Sequence, residues 1–295
     1  MKTVRFLGQD CVELSNESLS ILVTQSVGPR VISLRIKDGQ NIFAELPDVT
    51  LDCPGKGDFH LYGGHRLWHA PEEPRRTYLP DDDPVDVTPL GNGLSLKQKP
   101  ENETGIQKEI KIQLSQDQSA VHVEHILTNH GVWPVTLAPW AITQVKPGGV
   151  AILPQNLEFW DQNPTLANRP LSLWPYTDIN SPHIQWGNQV ILIRADMSEG
   201  HLKIGFPNPR GWLAYWLSGT LFVKRAGFDF QADYFDFGSS SECYCKDVFL
   251  ELETLGPITT LNPGGSTHHI ETWEVYTEVE WPDNIDDLIQ FIEKL

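Results

Sequence analysis

The chain has 295 residues, of which 40% are hydrophobic, and a formal net charge of −17 at pH 7. This length and apolar content are sufficient for a large buried core. The acidic balance argues against nucleic acids and anionic membrane surfaces as partners, because both are bound through basic patches.

Most segments either alternate apolar and polar residues or are rich in β-branched residues, and both patterns predict β-strands. In chain order the predicted strands cover residues 19–25, 30–36, 93–99, 106–114, 120–129, 133–145, 189–195, 202–206, 212–216, 221–224, 248–253 and 269–279. Short turns containing Gly, Pro, Asn or Asp connect several of them, which indicates antiparallel hairpins and meanders. The sequence therefore predicts an all-β fold.

One helix is predicted, at residues 283–295, where the apolar side chains share one stripe after an Asp283 cap. We expect this helix to pack on the outside of a sheet. Residues 47–86 and 153–187 are predicted to be irregular, and long irregular loops in compact domains tend to carry function. The composition indicates no linker between them, so residues 1–295 are expected to form a single domain.

Residues 1–10 lack the apolar core of a signal peptide, and no apolar run approaches the roughly 18 residues of a membrane span. The four cysteines include one close pair, Cys243 and Cys245, whose spacing is not that of a zinc finger. We therefore expect a cytoplasmic protein with reduced thiols. The ten tryptophans suit a sugar-binding cleft, although large sheets also bury aromatic side chains.

Two carboxylates, Glu251 and Glu253, alternate with leucines in a predicted strand. Side chains two residues apart in a strand point to the same face, so these carboxylates project together. A buried unpaired charge is strongly disfavoured, which makes the pair a candidate for chemistry. An exposed polar face of an antiparallel strand explains the same alternation.

A second candidate segment, residues 61–72, brings His65, Arg66 and His69 together with Trp68. Histidine can act as an acid or a base near neutral pH, and arginine offers forked donors to hydroxyl or carboxylate oxygens. Two other interpretations stay open. The histidines are structural, or they form a metal site with His60, although the glycines and the proline of this segment argue against the helix that such a site would use.

Further candidates come from three other segments. Trp140 and Gln144 lie on a predicted strand and could face a ligand, whereas His130 lies in a predicted turn. Lys224 and Arg225 end another predicted strand and could serve an anionic substrate group, with Glu242 following an acidic and aromatic stretch. The alternative for these charged residues is salt bridging at the surface, which contributes little.

Several short motifs resemble those of the galactose mutarotase-like family, which includes aldose 1-epimerases and glucose-6-phosphate epimerases, and look most similar to a bacterial branch of it. The resemblance covers roughly residues 19 to 280. Its motifs are the segments 28–34, 64–68, 127–140, 252–254, 261–264 and 271–273. The resemblance implies a β-supersandwich, in which two large antiparallel sheets form a ligand cleft on a concave face.

The resemblance also implies a cofactor-independent and metal-independent opening of a sugar ring. In the family a glutamate takes the proton of the anomeric hydroxyl and a histidine protonates the ring oxygen. The carry-over makes Glu253 the base, with Glu251 as the competing base, and His65 or His69 the acid. The expected partner is a small-molecule sugar or sugar derivative, and the sequence predicts no oligomeric state.

One departure from the family favours an alternative function. Mutarotases carry a second histidine in an Asn-His-x-Tyr-Phe segment. Here Asn129 and His130 match the letters but lie in a predicted turn, and Pro139-Trp140 matches the strand position without a histidine. A non-catalytic carbohydrate-binding or regulatory protein on the same fold is therefore the second hypothesis, and a histidine metal site in another β fold is the third.

Overall fold

The computed structural model describes residues 2–37, 39–53, 55–116, 118–157 and 167–295. The strands are β1 (Lys2–Phe6), β2 (Gln9–Ser15), β3 (Leu19–Thr24), β4 (Arg30–Ile36), β5 (Glu45–Cys53), β6 (Gly57–Ala70), β7 (Asp86–Leu90), β8 (Gly93–Lys97), β9 (Ile106–Leu114), β10 (Ala120–Asn129) and β11 (Val135–Val145). They continue with β12 (Val150–Pro154), β13 (Ser172–Leu173), β14 (Ile184–Gln185), β15 (Val190–Arg194), β16 (His201–Phe206), β17 (Trp212–Leu217), β18 (Thr220–Ala226), β19 (Ser241–Lys246), β20 (Leu250–Leu255), β21 (Thr259–Leu261) and β22 (Ser266–Tyr276). The helical segments are α1 (Phe235–Gly238) and α2 (Ile285–Lys294).

The strands form two large antiparallel sheets, as predicted. The first sheet has 12 strands in the order β1-β2-β3-β4-β6-β11-β20-β19-β16-β13, with β5 beside β6 and β21 beside β11. The second has 10 strands in the order β14-β15-β12-β17-β18-β22-β10-β9-β8-β7. Alternation along each strand sends one set of side chains between the sheets, where a single large apolar cluster joins them. Edge-to-face rings lie at its centre, with the Phe43 centroid 5.7 Å from that of Trp273.

The C-terminal helix α2 packs on the outer face of the second sheet. Its buried residues Leu288, Ile289 and Ile292 join an apolar cluster with side chains of β12, β17 and β18. The helix is capped by Asn284, whose side-chain oxygen accepts a hydrogen bond from the Asp286 backbone N–H at 3.2 Å. The predicted helix is confirmed, with its cap one residue later than expected.

The prediction that residues 47–86 are irregular was wrong. This stretch contains most of β5 and the whole of β6, which is 14 residues long. Gly63 and Gly64 mark a kink, since Tyr62, Gly63 and Gly64 have φ values of 54°, 88° and 70°. A side chain at Gly64 would lie 2.1 Å from the Val31 carbonyl oxygen, so the close approach of β4 requires glycine there.

The second predicted loop, residues 153–187, holds only the end of β12 and the two-residue strands β13 and β14 in its described part, and residues 158–166 lie outside that part. The four cysteines are free, and Cys53 is the one that is not fully buried. Among the described residues, no helix combines the length and the apolarity required to span a membrane.

Candidate functional site

The central strands of the first sheet place a row of polar and aromatic side chains on the face turned away from the second sheet. Backbone pairing sets Ile142 of β11 opposite Arg66 of β6 on one side and Glu253 of β20 on the other. Two residues further along β11, Gln144 stands opposite Glu251. Directly paired residues share a face, so these side chains lie together. Arg66, Ile142 and Glu251 border a cleft of about 480 Å³, whereas Gln144 and Glu253 are buried beside it and do not line it.

Glu251 is the carboxylate that lines this cleft. Its Oε1 accepts hydrogen bonds from Arg66 Nη2 at 3.0 Å and from Gln144 Nε2 at 2.9 Å. No described residue donates a hydrogen bond to its Oε2. Burial raises the pKa of Glu251, and the positive charge of Arg66 opposes that rise. The arrangement holds one carboxylate oxygen rigidly and leaves the other for a ligand.

Glu253 lies deeper and is fully buried. Its Oε2 accepts hydrogen bonds from Trp140 Nε1 at 2.7 Å and from Lys203 Nζ at 3.0 Å. Lys203 also pairs with Glu242 at 2.7 Å, and its ammonium lies 4.6 Å from the ring centroid of Trp174. Burial alone would lower the pKa of Lys203, but Glu242 and Glu253 raise it well above the usual value. A permanent cation therefore separates Glu253 from the cleft.

Aromatic rings form the wall of the cleft beside Arg66. The guanidinium of Arg66 lies 4.3 Å from the Trp68 ring centroid, and the Trp68 and Trp140 centroids are 5.4 Å apart at 70°. Tyr78 packs edge-on against Trp68 at 5.3 Å. Trp68 and Trp140 are almost fully buried, so the exposed ring of Tyr176, which also lines the cleft, offers an apolar face to a ligand, while the charged groups nearby offer hydrogen bonds.

The two histidines predicted to work with Glu253 point the other way. Arg66 faces the cleft, so its neighbour His65 must face the second sheet, and His69 shares that inner face. His65 Nε2 lies 2.7 Å from His125 Nε2 and its Nδ1 lies 2.8 Å from Thr143 Oγ1. The expected meeting of His65 or His69 with Glu253 in one cleft does not occur, because the sheet itself separates them.

Lys224 belongs to the same inner layer. Its ammonium pairs with Glu271 at 2.9 Å and donates to the carbonyl oxygens of Ala141 and Leu252 at 2.9 and 3.0 Å. Arg225 faces outward and pairs with Glu274 at 3.0 Å. Neither cation reaches the cleft, so the expectation that they serve an anionic substrate group is not met.

A buried trio of possible metal ligands, His65, His125 and Glu271, also lies in this inner layer, with ligand atoms within 4.8 Å of one another. The 2.7 Å contact between the two Nε2 atoms is a hydrogen-bond distance. Glu271 already accepts from Lys224 and from Trp273 Nε1 at 2.7 Å. The trio therefore fits a hydrogen-bonded core network better than a metal site. His60, proposed as a ligand with His65 and His69, lies apart from them beside Asp82.

The cleft contains further polar and aromatic side chains that the sequence did not indicate. Lys203 and His201 lie on β16 and line the cleft together with Tyr176, whose ring centroid is 4.2 Å from that of His201. The one available signal was Lys203, a charged residue inside an apolar predicted strand. The partners of both residues are distant in sequence, so no local pattern identifies them.

No sequence-family model matches the chain, and no curated protein sequence does. Solved structures match it at low identity. A galactose mutarotase-like protein from Lactobacillus casei has a TM-score of 0.59 and 12% identity over 90% of this chain and 100% of that chain. A candidate aldose 1-epimerase from Klebsiella pneumoniae has a TM-score of 0.59 and 10% identity over 97% of this chain and 84% of that chain. A galactose mutarotase-like protein from Clostridium acetobutylicum has a TM-score of 0.53 and 11% identity over 94% of this chain and 98% of that chain.

These likenesses show the fold. The chain adopts the galactose mutarotase-like sandwich, which confirms the resemblance drawn from its short motifs as far as architecture is concerned. At identities this low, the role of a residue in one protein cannot be assigned to a residue of the other, so the residues of the cleft themselves must indicate the function.

Proposed function

We propose that the cleft binds a sugar or sugar derivative and that the protein is an aldose 1-epimerase-like isomerase in which Glu251 is the base. The observation that carries the proposal is the position of Glu251. One of its oxygens is fixed by Arg66 and Gln144, and the side chain lines a cleft walled by Trp68 and Trp140. This revises the expectation that Glu253 is the base, because Glu253 is fully buried and paired with Lys203.

The aromatic wall supports a carbohydrate ligand. A pyranose has apolar faces that stack on rings such as Tyr176 and Tyr244, which line the cleft and are only partly buried, and hydroxyl groups that bond to carboxylates and guanidinium groups at its edge. Arg66 and Lys203 are each paired with carboxylates, so the cleft offers balanced charges rather than a strong positive field. Balanced charges suit an uncharged sugar ring.

The proposed reaction needs a base and an acid at opposite ends of the ring. Glu251 removes the proton of the anomeric hydroxyl while His201 donates a proton to the ring oxygen. The bond between C1 and the ring oxygen then breaks and the C1 carbonyl forms. Rotation about the C1–C2 bond and reclosure invert the anomer and return both protons, so no cofactor is consumed.

His201 is the histidine that fits this acid role. It lies on β16, and Glu251 lies on β20, with β19 between them. Two strand spacings, about 10 Å across the sheet, and an offset of two residues along it separate the two positions, and Tyr244 of β19, which pairs with Glu251, lines the cleft between them. A sugar ring that lies over Tyr244 would reach both side chains. A base whose pKa is raised by burial, as that of Glu251 is, abstracts protons more readily near neutral pH.

A non-catalytic carbohydrate-binding protein is the second candidate. It is favoured by the positions of His65 and His69, which lie between the sheets and cannot protonate a ligand in the cleft. In this case the cleft would hold a sugar through the same rings and hydrogen bonds, and Glu251 would act only as a hydrogen-bond acceptor.

Anomer exchange measured by NMR on a panel of aldoses separates the two candidates. We expect the protein to accelerate interconversion of at least one sugar, and the Glu251→Gln variant to lose about 10²- to 10⁴-fold of that rate while it still binds the sugar. Glu274→Gln, on the outer face of the second sheet, is the matched control and should keep full activity. Binding without acceleration would favour the second candidate, and failure of every sugar to bind would contradict both.

A further inference from the structure

A second cavity of about 480 Å³ adjoins the cleft. Leu51 and Tyr78 line both cavities, so the two spaces meet on either side of these side chains. Beyond them the second cavity is lined by Asp52, Cys53, Lys56 and Arg75. A ligand whose ring lies in the cleft could therefore extend a substituent past Tyr78 into this space.

The second cavity carries two cations that have no partner among the described residues. The Nζ of Lys56 is buried and makes no hydrogen bond. Arg75 is exposed, and no described acceptor contacts its guanidinium. An ammonium withdrawn from water without a partner is costly, because it loses its hydration and gains nothing in return. Asp52 is the single carboxylate of the lining and makes no ion pair with either cation within 4 Å.

The chain as a whole repels anions, since its net charge is −17. Two unpaired cations in one cavity are therefore a local exception to the general charge of the protein. Lysine supplies a compact charge and arginine a planar fork of donors, and together they match the oxygens of a phosphate or carboxylate group. Lys224 and Arg225, the cations first considered for such a group, are already neutralised by Glu271 and Glu274.

We infer that the cavity of Lys56 and Arg75 binds an anionic group, phosphate or carboxylate, carried by the carbohydrate whose ring lies in the cleft. The inference rests on the proposed function for the ring, but the anion site can be tested by itself. Lys56 and Arg75 lie outside the groups assigned to the reaction, so their substitution leaves the cleft intact.

Cys53 provides the first test, because it lines the cavity and is partly exposed while Cys11, Cys243 and Cys245 are buried. Its rate of alkylation by iodoacetamide is measured with and without inorganic phosphate or glucuronate at constant ionic strength. We expect either anion to slow alkylation several-fold. The protection should be lost in Lys56→Ala and in Arg75→Ala.

The control variant is Lys99→Ala, which removes the same charge from an exposed site outside both cavities and should keep the protection. Alkylation that is insensitive to both anions would overturn the inference, as would equal protection in all variants.

The second test compares a neutral aldose with its 6-phosphate and its uronate by calorimetry. We expect the better anionic form to bind roughly tenfold more weakly to Lys56→Ala than to the unsubstituted protein, with no change for the neutral sugar. Phosphate and uronate arms identify which anion is preferred. Protection of Cys53 without binding of any sugar would leave the anion site standing and contradict the proposed function. Equal binding of neutral and anionic sugars without protection would contradict only the anion site.

Discussion

The ammonium of Lys224 lies 2.9 Å from Glu271 Oε1, and neither side chain is exposed to solvent. Lys224 comes from β18 of the second sheet, yet its other hydrogen bonds reach the first sheet, at the Thr143 hydroxyl and the carbonyl oxygens of Ala141 and Leu252. These carbonyls belong to β11 and β20, the strands that carry Gln144 and the cleft residue Glu251. From the space between the sheets, Lys224 therefore holds the backbones of the two strands in place, although neither it nor Glu271 lines the cleft.

We expect Lys224→Met to lower the free energy of unfolding by about 3–5 kcal/mol, because it leaves the Glu271 carboxylate buried without its cation. Urea unfolding at pH 7 measures the loss. The matched control is Lys111→Met, which breaks a partly exposed ion pair with Glu124 and should cost less than about 1 kcal/mol. Equal losses of the free energy of unfolding in the two variants would contradict the expectation that the buried Lys224 pair contributes more to stability than an exposed pair.

The stability of the protein should fall in mild acid. Burial lowers the pKa values of His65, His125 and His269, that of His269 to about 3. Below about pH 6.5 the unfolded chain binds protons at these positions and the folded chain does not. The free energy of unfolding should therefore decrease by up to about 1.4 kcal/mol per pH unit for each histidine as the pH falls below 6.5.

Urea unfolding at pH 7.5 and pH 5.5 tests this dependence. The difference between the two pH values should shrink in His269→Gln, which removes one buried imidazole, and should persist in His122→Gln, which alters an exposed one. A free energy of unfolding that is the same at both pH values would show that the buried imidazoles are protonated in the folded protein.

The sequence predicts the strands best where one face is buried and the other is not. Burial alternates along the whole of Ile106–Leu114, where Lys108 is the one polar residue in the buried set, and the predicted and observed bounds coincide. Gly57–Ala70 was missed because all of its residues from Leu61 onward are buried, on both faces of the strand, so the sequence shows no alternation of apolar and polar residues there. The glycines at its kink then resemble a loop.

The same omission explains the error in the site. Adjacent residues of a strand face opposite ways, so His65 and Arg66 could not both line the cleft once their segment was a strand. In a loop, adjacent residues are free to face the same way, so the prediction of a loop allowed both side chains to line the cleft. Glu251, Arg66, Trp68, Trp140 and Gln144 were all identified from the sequence because each stands out chemically on its own. Lys203 and His201 could not be identified in this way, because their partners in the cleft are distant in sequence and come close to them only in the folded chain.

Removal of Arg66 should shift the titration of Glu251. The positive charge of Arg66 lowers the pKa of this carboxyl against the effect of burial, so Arg66→Met should raise the pKa further. Carbon NMR of the labelled glutamate side chain reports the shift directly. If Glu251 is the base, the acidic limb of the pH profile of kcat/KM should move to higher pH by the same amount. Arg225→Met, on the outer face of the second sheet, is the control and should leave both unchanged, and an unaltered titration in Arg66→Met would contradict the pairing.

Gly64→Ala should destabilise the protein far more than substitution of a glycine in open space. The backbone of Gly64 has φ of +70°, and an added Cβ would lie 2.1 Å from the Val31 carbonyl oxygen. Gly8 has φ of +79° and an added Cβ there would meet nothing within 4 Å. Gly8→Ala therefore measures the cost of the left-handed backbone without the cost of the steric clash. Gly8→Ala should lose about 1–2 kcal/mol for its left-handed backbone, and Gly64→Ala should lose more, since β4 and β6 must also move apart. Because Arg66 lies two residues further along β6, the displaced strand should weaken sugar binding in Gly64→Ala but not in Gly8→Ala. Similar unfolding midpoints for the two variants would mean that β6 accommodates the added methyl group without moving.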